Sequence, residues 1–139
     1  MIAKEKVYKQ TQIKTSSPLS ILIMLYDKAI QDLKIAKELI QDGNWQNAIK
    51  ANEKIFHAQE IITELMSTLN FEQGGNISTN LLSIYLFLNK ELENVLLKKE
   101  LHKIDNVIKQ LQILSFTWKE LQKKENNVNH NKLGINIVG

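Results

Sequence analysis

The scarcity of helix-breaking residues limits the possible folds of this chain more than any other feature. The 139 residues include a single proline, Pro18, and five glycines, two of which lie in the last six residues. An all-β sandwich or barrel needs a turn about every dozen residues, and such turns draw heavily on glycine and proline. The sequence therefore favours a few long helices joined by short turns.

Apolar residues recur at alternating spacings of three and four along four segments of the chain, which is the period of an amphipathic helix. The first stripe runs from Leu22 to Ile40, the third from Leu81 to Val95 and the fourth from Ile104 to Leu121. The second stripe is the clearest and consists of Ala48, Ala51, Ile55, Ala58, Ile62, Leu65 and Leu69. Its three alanines predict a close approach between two helices.

Turn signals separate these stripes. Pro18 is typical of the first position of a helix, and Gly43 of the left-handed residue that follows one. The segment Phe71–Gly75 predicts an internal loop, and the stripe changes phase at 98–100 without glycine or proline. The candidate N-caps of the second and third helices are Asn44 and either Asn76 or Ser78.

Short connections between long helices force sequential neighbours to be antiparallel. We therefore predict an all-α fold, an antiparallel up-and-down four-helix bundle formed by residues 18–122. Residues 1–17 are predicted to form an N-terminal arm, or a short extra helix. Residues 123–139 lack apolar periodicity and are predicted to be a flexible C-terminal tail.

Composition excludes several function classes. The chain has no cysteine, so it has no disulfide scaffold, no thiolate metal site and no cysteine nucleophile. Its 18 basic residues are all lysine and give a net charge of +3. Because arginine supplies the bidentate contacts to bases and phosphates, we expect no nucleic-acid partner. No apolar run approaches the roughly 20 residues that span a bilayer, and no leader is visible, so we expect a cytoplasmic protein without membrane insertion.

The sequence contains no recognisable catalytic set. A di-iron site in a helical bundle needs glutamates together with Glu-x-x-His pairs, and neither His57, His102 nor His130 has a glutamate three residues earlier. His57 with Glu53 and Glu60 is the nearest approach to a metal site, and a solvated charged face explains it better. The stripes also place no carboxylate or histidine toward the core. We therefore expect neither an enzyme nor a cofactor.

Two helices carry more apolar surface than their neighbours in a bundle require. The second helix has an additional mixed stripe of apolar and amide side chains, namely Trp45, Ile49, Asn52, Phe56, Gln59, Thr63 and Met66. In the third helix, Leu82, Leu86 and Phe87 widen the apolar arc. Such surplus predicts a partner protein, and a homodimeric adaptor or scaffold is the alternative that periodicity leaves open.

An ordered set of short motifs is more specific than this pattern. They are Tyr8-x-x-Thr11-x-Ile13-x-Thr15-Ser16-Ser17-Pro18-Leu19, Met24-Leu25-Tyr26-Asp27, Ala58-Gln59-Glu60, Gly74-Gly75, Asn80-Leu81-Leu82-Ser83-Ile84-Tyr85 and Trp118. In this order the set resembles the flagellar secretion chaperone family FliS, from Tyr8 to about Leu121. Lys28 and Ser16 depart from the family pattern, in which glycine and alanine are common at these places.

The resemblance implies a cytoplasmic export chaperone. It would bind the C-terminal segment of flagellin, prevent premature polymerisation and help to deliver flagellin to the export gate component FlhA. The predicted partner contacts are Tyr8, Ile13, Tyr26, Phe56, Gln59, Met66, Asn80, Tyr85 and Phe87.

Each of these contacts has a structural alternative. The tyrosines can be core residues, Asn80 can pack near the loop, and Phe56 and Met66 can be ordinary core. The arm with Tyr8 and Ile13 either covers a groove until the ligand displaces it or caps the bundle permanently.

Overall fold

The computed structural model describes residues 18–132, with side chains through Val128, and is entirely helical over that range apart from the turns. The predictions made for residues 1–17 lie outside it. The helices are α1 (Pro18–Gln41), α2 (Trp45–Ser67), α3 (Phe71–Gly74), α4 (Asn76–Lys98) and α5 (His102–Lys132).

The four long helices form a square bundle in which each helix packs against two others. α1 contacts α2 and α5, and α4 contacts the other sides of α2 and α5, while the single turn α3 lies against α4. Side-chain bonds set the register between α1 and α5: Gln122 bonds Ser20, Ser115 bonds Asp27, and Lys37 pairs with Asp105. Since the α1 numbers fall as the α5 numbers rise, the pair is antiparallel. The predicted all-α up-and-down four-helix bundle is confirmed.

The core forms from the predicted stripes, and its tightest part lies between α1 and α2. Ala29 and Ala36 of α1 and Ala51 and Ala58 of α2 are all fully buried, and these two helices make the most extensive contact in the bundle. Small side chains on both helices let the backbones approach closely, as the alanine-rich stripe predicted. Large residues from all four helices complete the core, including Leu33, Ile55, Ile62, Leu65, Leu88, Leu92 and Leu111.

Two of the long-helix boundaries follow from local chemistry. The Asn44 side chain accepts the backbone N–H of Gln46 at 2.9 Å, so the predicted N-cap of α2 is confirmed. At the end of α4, Lys99 has a φ of 57° and donates its N–H to the carbonyl of Val95 at 3.1 Å. A lysine in the left-handed conformation thus ends the helix where the sequence shows no glycine.

The segment Phe71–Gly75 is not the loop that the sequence predicted. It contains the helical turn α3, capped by Asn70, whose side chain accepts the N–H of Gln73 at 3.0 Å. The cap prediction for α4 is also wrong, because the N-cap position is Gly75 and no side chain in the described part of the chain caps it. Ser78 instead donates its hydroxyl to the carbonyl of Asn70 at 2.9 Å, which ties the start of α4 to the preceding turn.

The last helix runs past residue 123, where the sequence predicted the bundle to end, and the division of the chain at that residue stays a prediction. α5 continues through Lys132, ten residues beyond Gln122, which is its last described contact with α1. Lys123 pairs with Glu120 one turn earlier at 3.3 Å. The helix thus continues where apolar periodicity stops, although most of the added residues, four asparagines among them, are poor helix formers. The remainder of the predicted tail, 133–139, lies outside the described residues.

Candidate partner-binding groove

Several large apolar side chains of α2 and α4 remain exposed in the bundle. On α2, Trp45 is 70% exposed and Phe56 is 55% exposed. On α4, Leu86 and Phe87 are 54% and 58% exposed. Isolated exposed apolar residues are common on proteins, so their positions relative to one another decide whether they form a surface.

A small polar network fixes the contact between α2 and α4. The Gln59 side chain donates to the backbone carbonyl of Asn89 at 3.2 Å, and the Asn89 amide donates to the Thr63 hydroxyl at 3.3 Å. Thr63 in turn donates to the carbonyl of Gln59 at 3.0 Å. Because the Thr63 proton is used in this way, the Asn89 amide must donate, and its Oδ1 is left buried without a hydrogen-bond partner among the described residues.

These bonds define the surface that we call the α2–α4 groove. On the α2 side it consists of Phe56, Gln59, Thr63 and Met66, and on the α4 side of Leu86, Asn89 and Glu93. Helical spacing places the members of each set on one flank of their helix. The groove therefore has a polar centre, an apolar end with Met66 and Leu86, and an end where Phe56 lies beside the charged Glu93, a pattern suited to one face of an amphipathic helix.

The structure divides the predicted contact residues into separate groups. Phe56, Gln59 and Met66 lie together on the α2 side of the groove, Phe56 exposed and the other two partly buried. Asn80 and Phe87 are also exposed, but they lie on the other flank of α4. That flank faces α5, since it also carries Glu91, which pairs with Lys103 at 3.4 Å. Leu86 was not among the predicted contacts, although it extends the groove.

Tyr26 and Tyr85 are core residues, which is the structural alternative considered for them. Both are fully buried, their hydroxyls hydrogen-bond to each other, and their ring centroids are 6.3 Å apart at an interplanar angle of 49°. In this conformation neither can contact a partner directly. Tyr8 and Ile13 lie outside the described residues.

Burial determines the ionisation of this tyrosine pair. It raises the pKa of both hydroxyls, and for Tyr85 the bond to Tyr26 adds to the rise. For Tyr26 the hydrogen bond to Tyr85 offsets part of the rise in its pKa, and a further, smaller part is offset by the nearby indole nitrogen of Trp118. Its geometry is not that of a hydrogen bond, however, and Nε1 of Trp118 is buried without a partner in the described part of the chain.

A buried carboxylate contradicts the prediction that no acidic group faces the core. Asp32 of α1 is fully buried and hydrogen-bonds to Nδ1 of His57 on α2. The ammonium groups of Lys28 and Lys54 lie 3.5 and 3.9 Å from its other oxygen. These three partners compensate the cost of burying the charge. The cluster joins α1 to α2, and its only sequence signal was the position of Lys28 one turn before Asp32.

The described residues hold no group of three or more histidine and acidic side chains that could bind a metal ion. None of the described helices is long and apolar enough to cross a membrane. The arrangement at the α2–α4 groove offers apolar area and hydrogen-bonding amides rather than a nucleophile with a base. Chemically, it is equipped to bind a polypeptide segment.

The chain is similar in sequence to known flagellar proteins. The model of a family described as flagellar protein FliS matches residues 1–125. A flagellar secretion chaperone FliS of Vibrio cholerae is 30% identical over 133 residues, which is 96% of each chain. The protein of the same name from Bacillus subtilis is 24% identical, covering 92% of each chain. That of Salmonella typhimurium is 27% identical, covering 88% of this chain and 89% of its own.

Proposed function

The chain belongs to the FliS family of flagellar proteins, and from that premise we propose that it is a cytoplasmic flagellar export chaperone. Three relatives named flagellar secretion chaperone match it over about nine-tenths of their lengths or more, which supports a role of the same kind. The helical bundle with an open apolar groove is also consistent with a protein that acts by binding.

The proposed ligand is the C-terminal segment of flagellin. An amphipathic segment that assembles by burying its apolar face can be held unassembled when a groove covers that face first. The observation that carries this proposal is the pair of exposed side chains Phe56 and Leu86 on either side of the Gln59–Asn89 contact. The bound segment becomes ordered, so part of the interaction free energy is spent on that ordering.

Release and delivery complete the proposal. Since no covalent bond forms, competition or local unfolding is enough to free the segment at the export gate component FlhA. We further propose that the arm with Tyr8 and Ile13 lies over an apolar groove before flagellin arrives and is displaced by it. An arm that covers the groove would protect exposed apolar surface from aggregation.

A titration with a peptide covering the flagellin C-terminal segment tests the ligand. We expect a 1:1 complex by calorimetry, weakened about 30-fold by Phe56→Ala, because an aromatic side chain that a partner buries completely is worth about 2 kcal/mol. Phe116→Ala is the matched control, since Phe116 is 65% exposed on α5. It should change the dissociation constant less than about twofold.

Circular dichroism of each variant must show an unchanged helical content, so that loss of folding is not mistaken for loss of binding. Equal weakening by both substitutions would contradict the groove as the binding site. No measurable binding of the peptide to the folded wild-type protein would contradict the proposed ligand. Light scattering at several protein concentrations separates the chaperone from the homodimeric adaptor, which would form a stable dimer whether or not flagellin is present.

A further inference from the structure

The outer face of α5 carries two large apolar side chains that no described helix covers. Phe116 is 65% exposed and Ile113 is 51% exposed, and they lie one turn apart on the same side of the helix. The opposite side of α5 enters the core, where Leu111 and Ser115 are buried. Because α5 packs against α1 and α4, its outer face points away from α2 and from the α2–α4 groove.

This apolar pair is flanked by a basic residue on one side and an acidic residue on the other. Lys109 lies four residues before Ile113, and Glu120 lies four residues after Phe116. Spacings of four, three and four residues keep all four side chains on one stripe of the helix. Both charged residues are exposed, and Glu120 pairs only with Lys123 of its own helix, at 3.3 Å, among the described residues. Along α5 the stripe therefore runs positive, apolar, apolar, negative.

This order is complementary to itself when two copies of α5 lie side by side and antiparallel. A two-fold axis midway between Ile113 and Phe116 places Ile113 of each copy at the same height as Phe116 of the other. The same axis brings Lys109 of each copy to the height of Glu120 of the other. Two apolar layers at the centre are then flanked by one ion pair on each side. A two-fold contact requires such a self-complementary surface, because both copies present the same patch.

The neighbouring registers do not match both the apolar and the charged residues. An axis at Phe116 would bring Lys109 to the height of Lys123, so that two ammonium groups repel each other. An axis at Ile113 would bring Phe116 to the height of Gln110. A parallel pair would bring each charged residue to the height of the same residue in the other copy. The antiparallel register with its axis between Ile113 and Phe116 is therefore the favoured one.

The other charged side chains on the exposed part of α5 do not oppose this register. Asp105 lies at the height of Lys124 of the second copy, which is an attractive pairing. Lys119 and Lys123 lie at the heights of uncharged residues. The ion pairs that Asp105 and Lys119 make with α1, at 2.7 and 3.1 Å, remain within each copy. The charges are thus balanced along the whole contact rather than of one sign.

We propose that the outer face of α5 is a self-association surface, on which α5 of a second copy packs antiparallel with Ile113 against Phe116. One helix from each copy gives a contact at the lower end of the size range of specific interfaces, so the dimer is weak and depends on concentration. The α2–α4 groove stays open in both copies, since it lies across the bundle from α5. Such a dimer differs from the stable homodimeric adaptor, which would use its spare apolar surface on itself.

Sedimentation velocity of the full chain, without flagellin and over a series of concentrations, tests the association. We expect the wild type to shift from monomer toward dimer as the concentration rises. Phe116→Ser should raise the dissociation constant of the dimer about tenfold or more, because the two-fold axis removes the ring from the contact twice. Leu86→Ser is the matched control, since Leu86 is 54% exposed on α4 at the α2–α4 groove. It should change the dissociation constant less than about twofold.

Charge reversals test the register. Lys109→Glu alone and Glu120→Lys alone each bring like charges to the same height, so each should weaken its own dimer about threefold or more. An equimolar mixture of these two variants has opposite charges at both ends of the contact and should associate as strongly as the wild type. Lys50→Glu, at an exposed position of α2, is the matched control and should have no effect. Circular dichroism and thermal unfolding must show that every variant is folded.

Three results would overturn the proposal. The first is a wild-type chain that stays monomeric at every concentration up to about 1 mM. The second is a dimer that Phe116→Ser leaves unchanged, or one in which mixing the two charge variants restores nothing. The third is dissociation of the dimer by the flagellin peptide, which would assign the outer face of α5 to that ligand. A dimer in which each copy also binds the peptide would support two separate surfaces, whereas failure of the peptide to bind would leave the self-association as measured.

Discussion

The two flanks of α2 are packed in opposite ways. Toward α1, buried alanines bring the two backbones close together. On the same flank the buried carboxylate of Asp32 on α1 hydrogen-bonds to His57 of α2. Toward α4, Phe56 is exposed and the amide of Asn89 keeps one buried oxygen without a partner among the described residues. One helix therefore serves the stability of the bundle on one flank and leaves apolar surface exposed on the other.

The largest expected difference in stability between the two flanks is found at two consecutive residues of α2. Ile55 is fully buried and Phe56 is 55% exposed. We expect Ile55→Ala to lower the free energy of unfolding by about 3 kcal/mol, since it removes core contacts and leaves a cavity. Phe56→Ala should lower it by less than about 1 kcal/mol, because most of that ring is already in water. Urea denaturation measures both values, and similar losses would mean that the exposed flank is also structural.

His57→Ala tests the polar contact on the flank of α2 that packs against α1. It removes the hydrogen bond to the buried Asp32 and leaves the carboxylate with the two lysines alone. We expect a loss of about 2 kcal/mol, because a buried charged group without its hydrogen bond keeps its full desolvation penalty. His102→Ala, at an exposed position that begins α5, should cost less than about 0.5 kcal/mol in the same denaturation experiment. Equal, small effects would show that the cluster contributes no stability.

The hydrogen bond between Tyr26 and Tyr85 links α1 to α4, the two helices that pack on opposite flanks of α2. Breaking it should have a smaller effect on stability. Tyr85→Phe leaves the Tyr26 hydroxyl buried without its partner, which should cost about 1 kcal/mol. Adding Tyr26→Phe should restore part of that loss, because no orphaned hydroxyl remains. The comparison of single and double variants by thermal unfolding measures the coupling, and strictly additive losses would contradict it.

The same pair predicts an alkaline dependence of stability. Burial raises the pKa of Tyr26 and Tyr85 above the ordinary value of 10.0, so the folded chain keeps these protons at a pH where the unfolded chain loses them. Their contribution to stability is therefore complete below pH 10 and declines as the pH rises further. The Tyr26→Phe, Tyr85→Phe double variant should lose less stability than wild type between neutral and strongly alkaline pH. An identical decline in the two proteins would contradict this reading of the pair.

The features of the fold that could be predicted from the sequence are those that depend on residues close together in the chain. The stripes predicted the long helices, since the helical period is local, and the alanines of α2 predicted the close contact that α1 makes. The turn α3 was missed because it depends on the cap from Asn70 and on Ser78, which reaches back to it.

The candidate site was predictable only in part for a similar reason. Phe56, Gln59 and Met66 follow from the mixed stripe of α2, which is a local pattern. The burial of Tyr85 and the different flanks of Leu86 and Phe87 depend on which helix lies beside α4, and a single sequence does not give that arrangement. The pairing of Asp32 with His57 likewise joins residues that are 25 positions apart.

The smallest expected effect tests whether the polar centre of the groove is kept for stability at all. Asn89→Leu removes the bond to Thr63 and also the buried oxygen for which no described residue is a partner. Because the gain in apolar burial and the loss of one hydrogen bond nearly cancel, we expect a change in unfolding free energy within about 0.5 kcal/mol. Binding of the flagellin peptide should nevertheless weaken, since the backbone contact from Gln59 is no longer held in register by the Asn89 amide. A large loss of stability with unchanged binding would mean that this network holds α2 and α4 together and plays no part in recognition.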